Sequence, residues 1–339
     1  MMSLLTEGNV AARSSWRRFL PSGERIANKI PLLLFAALLL FFCLQAPYFT
    51  SWQNLSTILK QSVPLAILCF GLTCVISGGG DDVVSGGIDI SLPAIAVLGA
   101  AIISNGLTHD GDGYLWLAAL AFGAALLAGG VNALLVVAVG LPPLLATLAS
   151  SVAVVGIANL ITQQRRISVS DAAIVALRDD TWLGLPLMVW LMLAALALFG
   201  WALHHTRWGM QLQAAGGNRE AAEISGLRVK PLVIGSYLLA AAAAGLAAFA
   251  LVARGSGSSP GSEEPLLLEM VLATFIGAAF SRRRVVTVWG ALLGALLVNA
   301  LSNGLALLRV DIFWVGAIKG GLILLVLAAA ARQNRGGNP

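Results

Sequence analysis

Ten apolar runs, separated by short polar stretches, decide most of what this sequence is able to fold into. They fall at roughly 31–49, 61–77, 91–104, 115–139, 142–162, 183–203, 232–253, 266–280, 286–308 and 313–331. A helix crossing the hydrocarbon core of a bilayer needs about 20 predominantly apolar residues, because lipid offers no partner to an open backbone N–H or C=O. The first, fourth, sixth, seventh, ninth and tenth runs are strong. The third (SLPAIAVLGAAIIS) and eighth (LLLEMVLATFIGAAF) are short, and predict helices that are broken or only partly inserted. Ten spans use about 200 of the 339 residues, leaving about 140 for loops and ends. Charged residues make up 11% of the chain, against roughly 25% in soluble domains. These features exclude a soluble enzyme, a disordered chain and a secreted disulfide scaffold. They predict an all-α, polytopic transmembrane helical bundle.

The distribution of basic residues gives an orientation. With the first residues inside and ten spans threaded, fourteen of the 21 Lys and Arg residues fall in inside segments and six outside, with Lys319 in the last span. Cytoplasmic segments carry such an excess, so both termini are expected in the cytoplasm. The same bias accounts for the net charge of +5 without invoking nucleic acid. Residues 1–30 read as a cytoplasmic N-terminal tail, since no small-residue cleavage site follows a short apolar core. Residues 31–331 read as one membrane domain with an inside loop at 204–231, and 332–339 as a C-terminal tail. Cys43, Cys69 and Cys74 lie in apolar runs without metal-type spacing and are expected to be small buried hydrophobes.

The inside loop is the most informative segment. Asn218 is a good helix N-cap, Glu220 sits early where the helix dipole favours a carboxylate, and Gly226 is placed to end the helix. Ala221, Ala222 and Ile224 supply a short apolar face. The prediction is a two-turn amphipathic helix at the cytoplasmic surface, either a docking element for a partner or an ordinary connector.

With three other stretches, this loop carries a family resemblance. Gly86-Gly87-Ile88-Asp89-Ile90-Ser91, Leu141-Pro142-Pro143-Leu144-Leu145-Ala146-Thr147-Leu148, and the series Trp289-Gly290, Gly294, Asn303-Gly304 and Lys319-Gly320 occur in order. The chain resembles the membrane subunits of bacterial ABC sugar importers, the ribose/galactose/autoinducer-type permease family, over about 45–331. Two departures stand out: an insertion at 78–87 that carries Asp81 and Asp82, and an arginine run at 281–284 where the family has a glycine-rich turn.

The resemblance implies a permease subunit in the inner (plasma) membrane, working by alternating access on a monosaccharide or related polar solute. It implies a second permease chain, separate ATPase subunits, and an exported sugar-binding protein docking near outer loops such as 163–182. The ATPase-coupling residues are then Gly217, Asn218, Arg219, Glu220, Ala221, Ala222 and Gly226. No phosphate loop of the G-x-x-x-x-G-K-[ST] type occurs in the chain, so no cofactor is expected here, and ATP and Mg²⁺ belong to the partner subunit. The alternatives are an ion-coupled secondary transporter and a divergent inactive permease paralogue.

Polar residues inside spans are costly and mark functional candidates. Glu269 and Lys319 are the deepest charges; they pair, snorkel or gate. Asn299 and Asn303 share a helix face, and with Asn132 and Thr147 they either line a path or bond between helices. Asp89 and Ser91 either cap the third span or stand at a broken helix facing the path. The spacings Gly290/Gly294 and Gly316/Gly320 predict close helix packing.

Overall fold

The computed structural model describes residues 30–79, 87–110, 113–281, 285–311, 314–322 and 324. The tails, the inserted Asp81 and Asp82, and Arg282, Arg283 and Arg284 lie outside the described residues. Helices fall on all ten predicted apolar segments. They are α1 (Ile30–Gln45), α2 (Trp52–Gly79), α3 (Leu92–Asn105), α4 (Tyr114–Leu134), α5 (Pro143–Thr162), α7 (Leu187–His205), α10 (Val229–Gly255), α11 (Glu263–Ala279), α12 (Val288–Leu307) and α13 (314–322). Both α3 and α4 run on into single π-helical turns, Gly106–Asp110 and Leu135–Val139. Three further helices lie in the connections: α6 (Ala172–Asp179), α8 (Arg207–Gly217) and α9 (Arg219–Ile224). Among the described residues six helices are long and apolar enough to cross a membrane, and two more, Phe35–Gln45 and Leu92–Thr108, are apolar but shorter. The architecture is an all-α membrane bundle.

The centre of the bundle is α10. Ala240, Ala241, Ala243, Ala244, Ala247 and Ala248 are fully buried along it, and α2, α3 and α4 pack around them. Each of these neighbours meets α10 through a glycine. A methyl group on Gly71 would sit 2.8 Å from Ala243 Cβ, one on Gly99 2.8 Å from Ala248 Cβ, and one on Gly129 3.0 Å from the Tyr237 carbonyl. Helix association in lipid rests on such small-residue contact, because lipid tails are as apolar as the side chains they replace. By contrast, α4 and α5 turn large apolar residues such as Leu127, Leu134, Val152 and Leu160 outward, as lipid-facing helices do.

The predicted Gly290/Gly294 packing is realised between α11 and α12. A methyl on Gly294 would strike the Ala273 carbonyl, and Gly277 and Gly290 meet backbone to backbone. At Gly316 and Gly320 no close packing is made among the described residues: a methyl at either position meets nothing within 4 Å. The cysteine expectation holds for Cys69 and Cys74, whereas Cys43 is exposed on α1.

Four two-residue strands organise one end of the bundle. β1 (Ile167–Ser168) pairs antiparallel with β4 (Gly257–Ser258), and β2 (Thr181–Trp182) with β3 (Leu185–Pro186). Leu183 (φ 51°) and Gly184 (φ 78°) form the β2–β3 turn, where two positive-φ residues match the strand twist. The expected sixth span therefore loses its first residues to this hairpin. Asp171 caps α6 by accepting from Ala173 and Ile174 N–H, and its other oxygen accepts from the Tyr114 hydroxyl at 2.8 Å. The Arg178 guanidinium bonded to Asp179 holds that carboxyl below its ordinary pKa.

Candidate functional site

Two groups of predicted residues are assembled by the fold, and they differ in character. The first is the loop between α7 and α10. The sequence reading expected one short helix there and missed α8. Its signals are Thr206, whose hydroxyl accepts from Gly209 N–H at 3.1 Å as an N-cap, and the spacing of Trp208, Leu212 and Ala215 on one face. Leu212 and Ala215 are buried. Gly216 of α8 lies against the Ser77 carbonyl of α2, so a side chain there has no room.

The helix α9 follows as predicted. The Asn218 side chain accepts from Ala221 N–H at 2.9 Å. Arg219 and Glu223 form an exposed i,i+4 ion pair at 3.1 Å, and Glu220 occupies the first turn. Gly226, at φ 84°, donates to Glu223 O, and Leu227 N–H donates to Ala222 O, both at 3.0 Å. These are the two bonds of a Schellman ending, and the left-handed conformation they need suits glycine. Ala222 is buried on the inner face. Ile224 is 81% exposed, a large apolar side chain facing away from the bundle. Gly217 and Ala221 complete the predicted set. No room is contested at Gly217, since a methyl there meets nothing within 4 Å.

The second group is a buried polar cluster. Asp89, Ser91, Asn132 and Thr147 come from three separate stretches of sequence, and all are fully buried. Asp89 Oδ1 accepts from Ser91 N–H at 2.9 Å and from the Ser91 hydroxyl at 2.6 Å. The Asn132 amide on α4 donates to Ser91 Oγ at 2.8 Å and lies 3.4 Å from Asp89 Oδ2. The Thr147 hydroxyl on α5 donates to Pro143 O at 2.9 Å and accepts from Ile90 N–H at 3.3 Å. Ser91 stands at the N-cap position of α3 without a side-chain capping bond. Ser91 makes no capping bond: Asp89 bonds Ser91 just ahead of α3, and Asn132 ties the pair to α4. Tyr237 of α10, which the sequence reading missed, is buried with an unpartnered hydroxyl, and Asn132 Oδ1 is also without a partner. The one signal for Tyr237 was a lone phenol in an alanine-rich span.

The remaining candidates lie apart. Glu269 on α11 and Lys319 on α13 form an ion pair with both side chains mostly shielded, so the pairing alternative holds. Asn299 on α12 donates to Ala295 O of its own helix at 3.1 Å. The interhelical bond expected of it is not made, because its amide folds back along α12. Asn303 lies one turn on, with Oδ1 unpartnered. Neither asparagine joins the Asp89 cluster: α12 packs on α11 and α2.

Small-residue helix packing and outward-facing apolar surfaces define a multi-pass membrane protein. A family described as branched-chain amino acid transport system / permease component matches residues 54–327, and the chain belongs to that family. Among its relatives, the ribose import permease protein RbsC of Escherichia coli (strain K12) is 29% identical over 92% of this chain and 96% of its own length. RbsC of Bacillus subtilis (strain 168) is 29% identical over 88% of this chain and 90% of its own. The L-arabinose transport system permease protein AraH of E. coli (strain K12) is 27% identical over 97% of this chain and 96% of its own. No solved structure matches the chain. Membership favours the permease reading over an ion-coupled carrier or an inactive copy.

Proposed function

We propose that this chain is the membrane-spanning subunit of an ATP-driven ABC importer. It carries a monosaccharide or related small polar solute across the inner (plasma) membrane by alternating access. It threads the bilayer ten times with both termini in the cytoplasm, and pairs with a second permease chain. Separate ATPase subunits, which hold ATP and Mg²⁺, grip α9, and an exported binding protein delivers cargo to the opposite end near 163–182.

The observation that carries this reading is the build of α9. Its ends are closed by Asn218 and Gly226, its inner face is anchored through Ala222, and Ile224 is left exposed. A partner's groove receives a short apolar anchor of this kind. The neighbouring α8 rests on α2, and α2 packs on α10 and α12, so displacement of α9 has a continuous packed route into the bundle. Glu269 and Lys319, the charges the sequence offered to an ion-coupled carrier, are bonded to each other.

The test is co-purification of the permease with its ATPase subunits. Ile224→Glu should abolish capture while the chain still inserts and unfolds normally; undiminished capture would remove α9 from the interface. Threading is checked with a cysteine at the exposed position 172, which should react with an impermeant thiol reagent added outside intact cells. Labelling only after permeabilisation reverses the orientation.

A further inference from the structure

We infer that the β2–β3 hairpin is a lipid anchor: its tip, Trp182 and Leu183, lies in the headgroup layer of the leaflet at that end of the bundle and sets the depth of α7. This goes beyond the transport reading and does not depend on which solute is carried.

The tip is built against local preference. A two-residue turn with positive φ at both positions is ordinarily made by Asn-Gly, Asp-Gly or Gly-Gly. Here the first position is Leu183, at φ 51°. A leucine is strained in that conformation. Its side chain is 74% exposed, so little of it packs on the fold, and Trp182 beside it is 56% exposed. A large apolar pair held out on a strained turn points to a covering from outside.

The hairpin is firmly tied to the membrane helix that follows it. Leu187 N–H donates to Asp180 O at 3.0 Å and closes the turn at its base. The Trp190 indole N–H of α7 donates to Trp182 O at 3.0 Å, and the two rings meet edge-on with centroids 4.8 Å apart. A two-residue strand reaches only about 7 Å, so the tip stays near the level of the start of α7.

Three observations select lipid as the covering. From Thr181 to Leu203 the chain carries no charged residue, whereas the site of a soluble partner has a polar rim. Exposed indoles mark both ends of α7, Trp182 just before it and Trp201 near its last turn. The helix has 19 residues, about 28 Å, close to the roughly 30 Å of a hydrocarbon core. Finally, Tyr114 and Trp116 are exposed in the first turn of α4, and Tyr114 is bonded to Asp171 in the same connection as the hairpin. Tyr and Trp gather at headgroup level, where one edge of the ring is wet and the rest is not. Since α7 continues through Thr206 into α8, an element at one membrane surface fixes the depth of a helix at the other.

The experiment places a single fluorophore at the tip. Leu183→Cys, combined with Cys43→Ser because Cys43 is the exposed thiol, is labelled with NBD in the full chain and reconstituted in phosphatidylcholine nanodiscs. Its emission should be blue-shifted from that in water, and phosphatidylcholine carrying a nitroxide at acyl carbon 5 should quench it about twofold or more. The same label at Ser225→Cys, exposed at the end of α9, should give water-like emission without quenching. If the labelled tip does not fold, Trp182→Phe decides: brominated phosphatidylcholine should quench a smaller share of tryptophan emission than in the parent chain. Water-like, unquenched emission at position 183 would put the tip in solution, where a soluble partner docks, and would overturn the assignment. Equal quenching of Trp182→Phe and the parent chain would do the same. ATPase capture, which tests the importer reading, plays no part here, so the two fail separately.

Discussion

The α9 region and the Asp89 cluster put polar residues to opposite uses. At α9 the polar groups act locally. Asn218 caps its own helix, Gly226 ends it, Arg219 reaches Glu223 one turn away, and the outward face is left to Ile224. In the cluster polar groups also act at a distance. Asn132 reaches Ser91 across 41 positions of sequence, and Ile90 reaches Thr147 across 57. One region is a finished shape with unfinished contacts; the other has spent nearly all its contacts on holding helices together. On the proposed reading, a chain that transmits force needs both, a protruding handle and an interior that does not come apart when the handle moves.

Substitutions should separate the two regions. The largest effect on folding is expected at Asp89→Ala, which strands the Ser91 hydroxyl and one Asn132 bond inside the bundle, at about 2–4 kcal/mol. Thermal unfolding of the purified chain measures it, and an unchanged midpoint would mean the cluster does not hold the helices. Ile224→Glu should do the reverse. It should weaken ATPase capture about 30-fold or more, as loss of an interface anchor does, with no change in unfolding. Ala222→Asp is a poorer probe, because Ala222 is buried and the variant reports folding as well as docking. Asn218→Ala should cost about 1 kcal/mol of helix stability, seen as faster amide exchange confined to α9. Arg219→Ala should cost only about 0.3–0.5 kcal/mol, and the difference should vanish at high salt, since the pair is exposed.

The contrast also explains what was legible in the sequence. The apolar runs located the membrane helices because their signal is a local property of about 20 residues. Helix α9 was legible to its caps for the same reason: Asn218 and Gly226 interact with residues three or four places away. The Asp89 cluster was visible only as four isolated polar residues. Nothing in the spacing of Asp89, Asn132 and Thr147 says that three helices bring them together, and capping was the nearest local explanation. The α8 helix was missed because Gly209, Gly216 and Gly217 lower its propensity; it is held by Leu212 and Ala215 against α2 and by the Thr206 cap, a tertiary gain outweighing a local cost.

The glycine contacts between α11 and α12 bear on how such a machine must move. Where Gly277 meets Gly290 and Gly294 meets the Ala273 carbonyl, two main chains touch with no side chain between them. Rotamer changes let packed helices slip past each other, and at these two points there are none to change. On the proposed alternating-access reading, the two helices are expected to move together. Any rocking that exposes the interior first to one side and then to the other has its pivot elsewhere, where side chains of ordinary size leave some play.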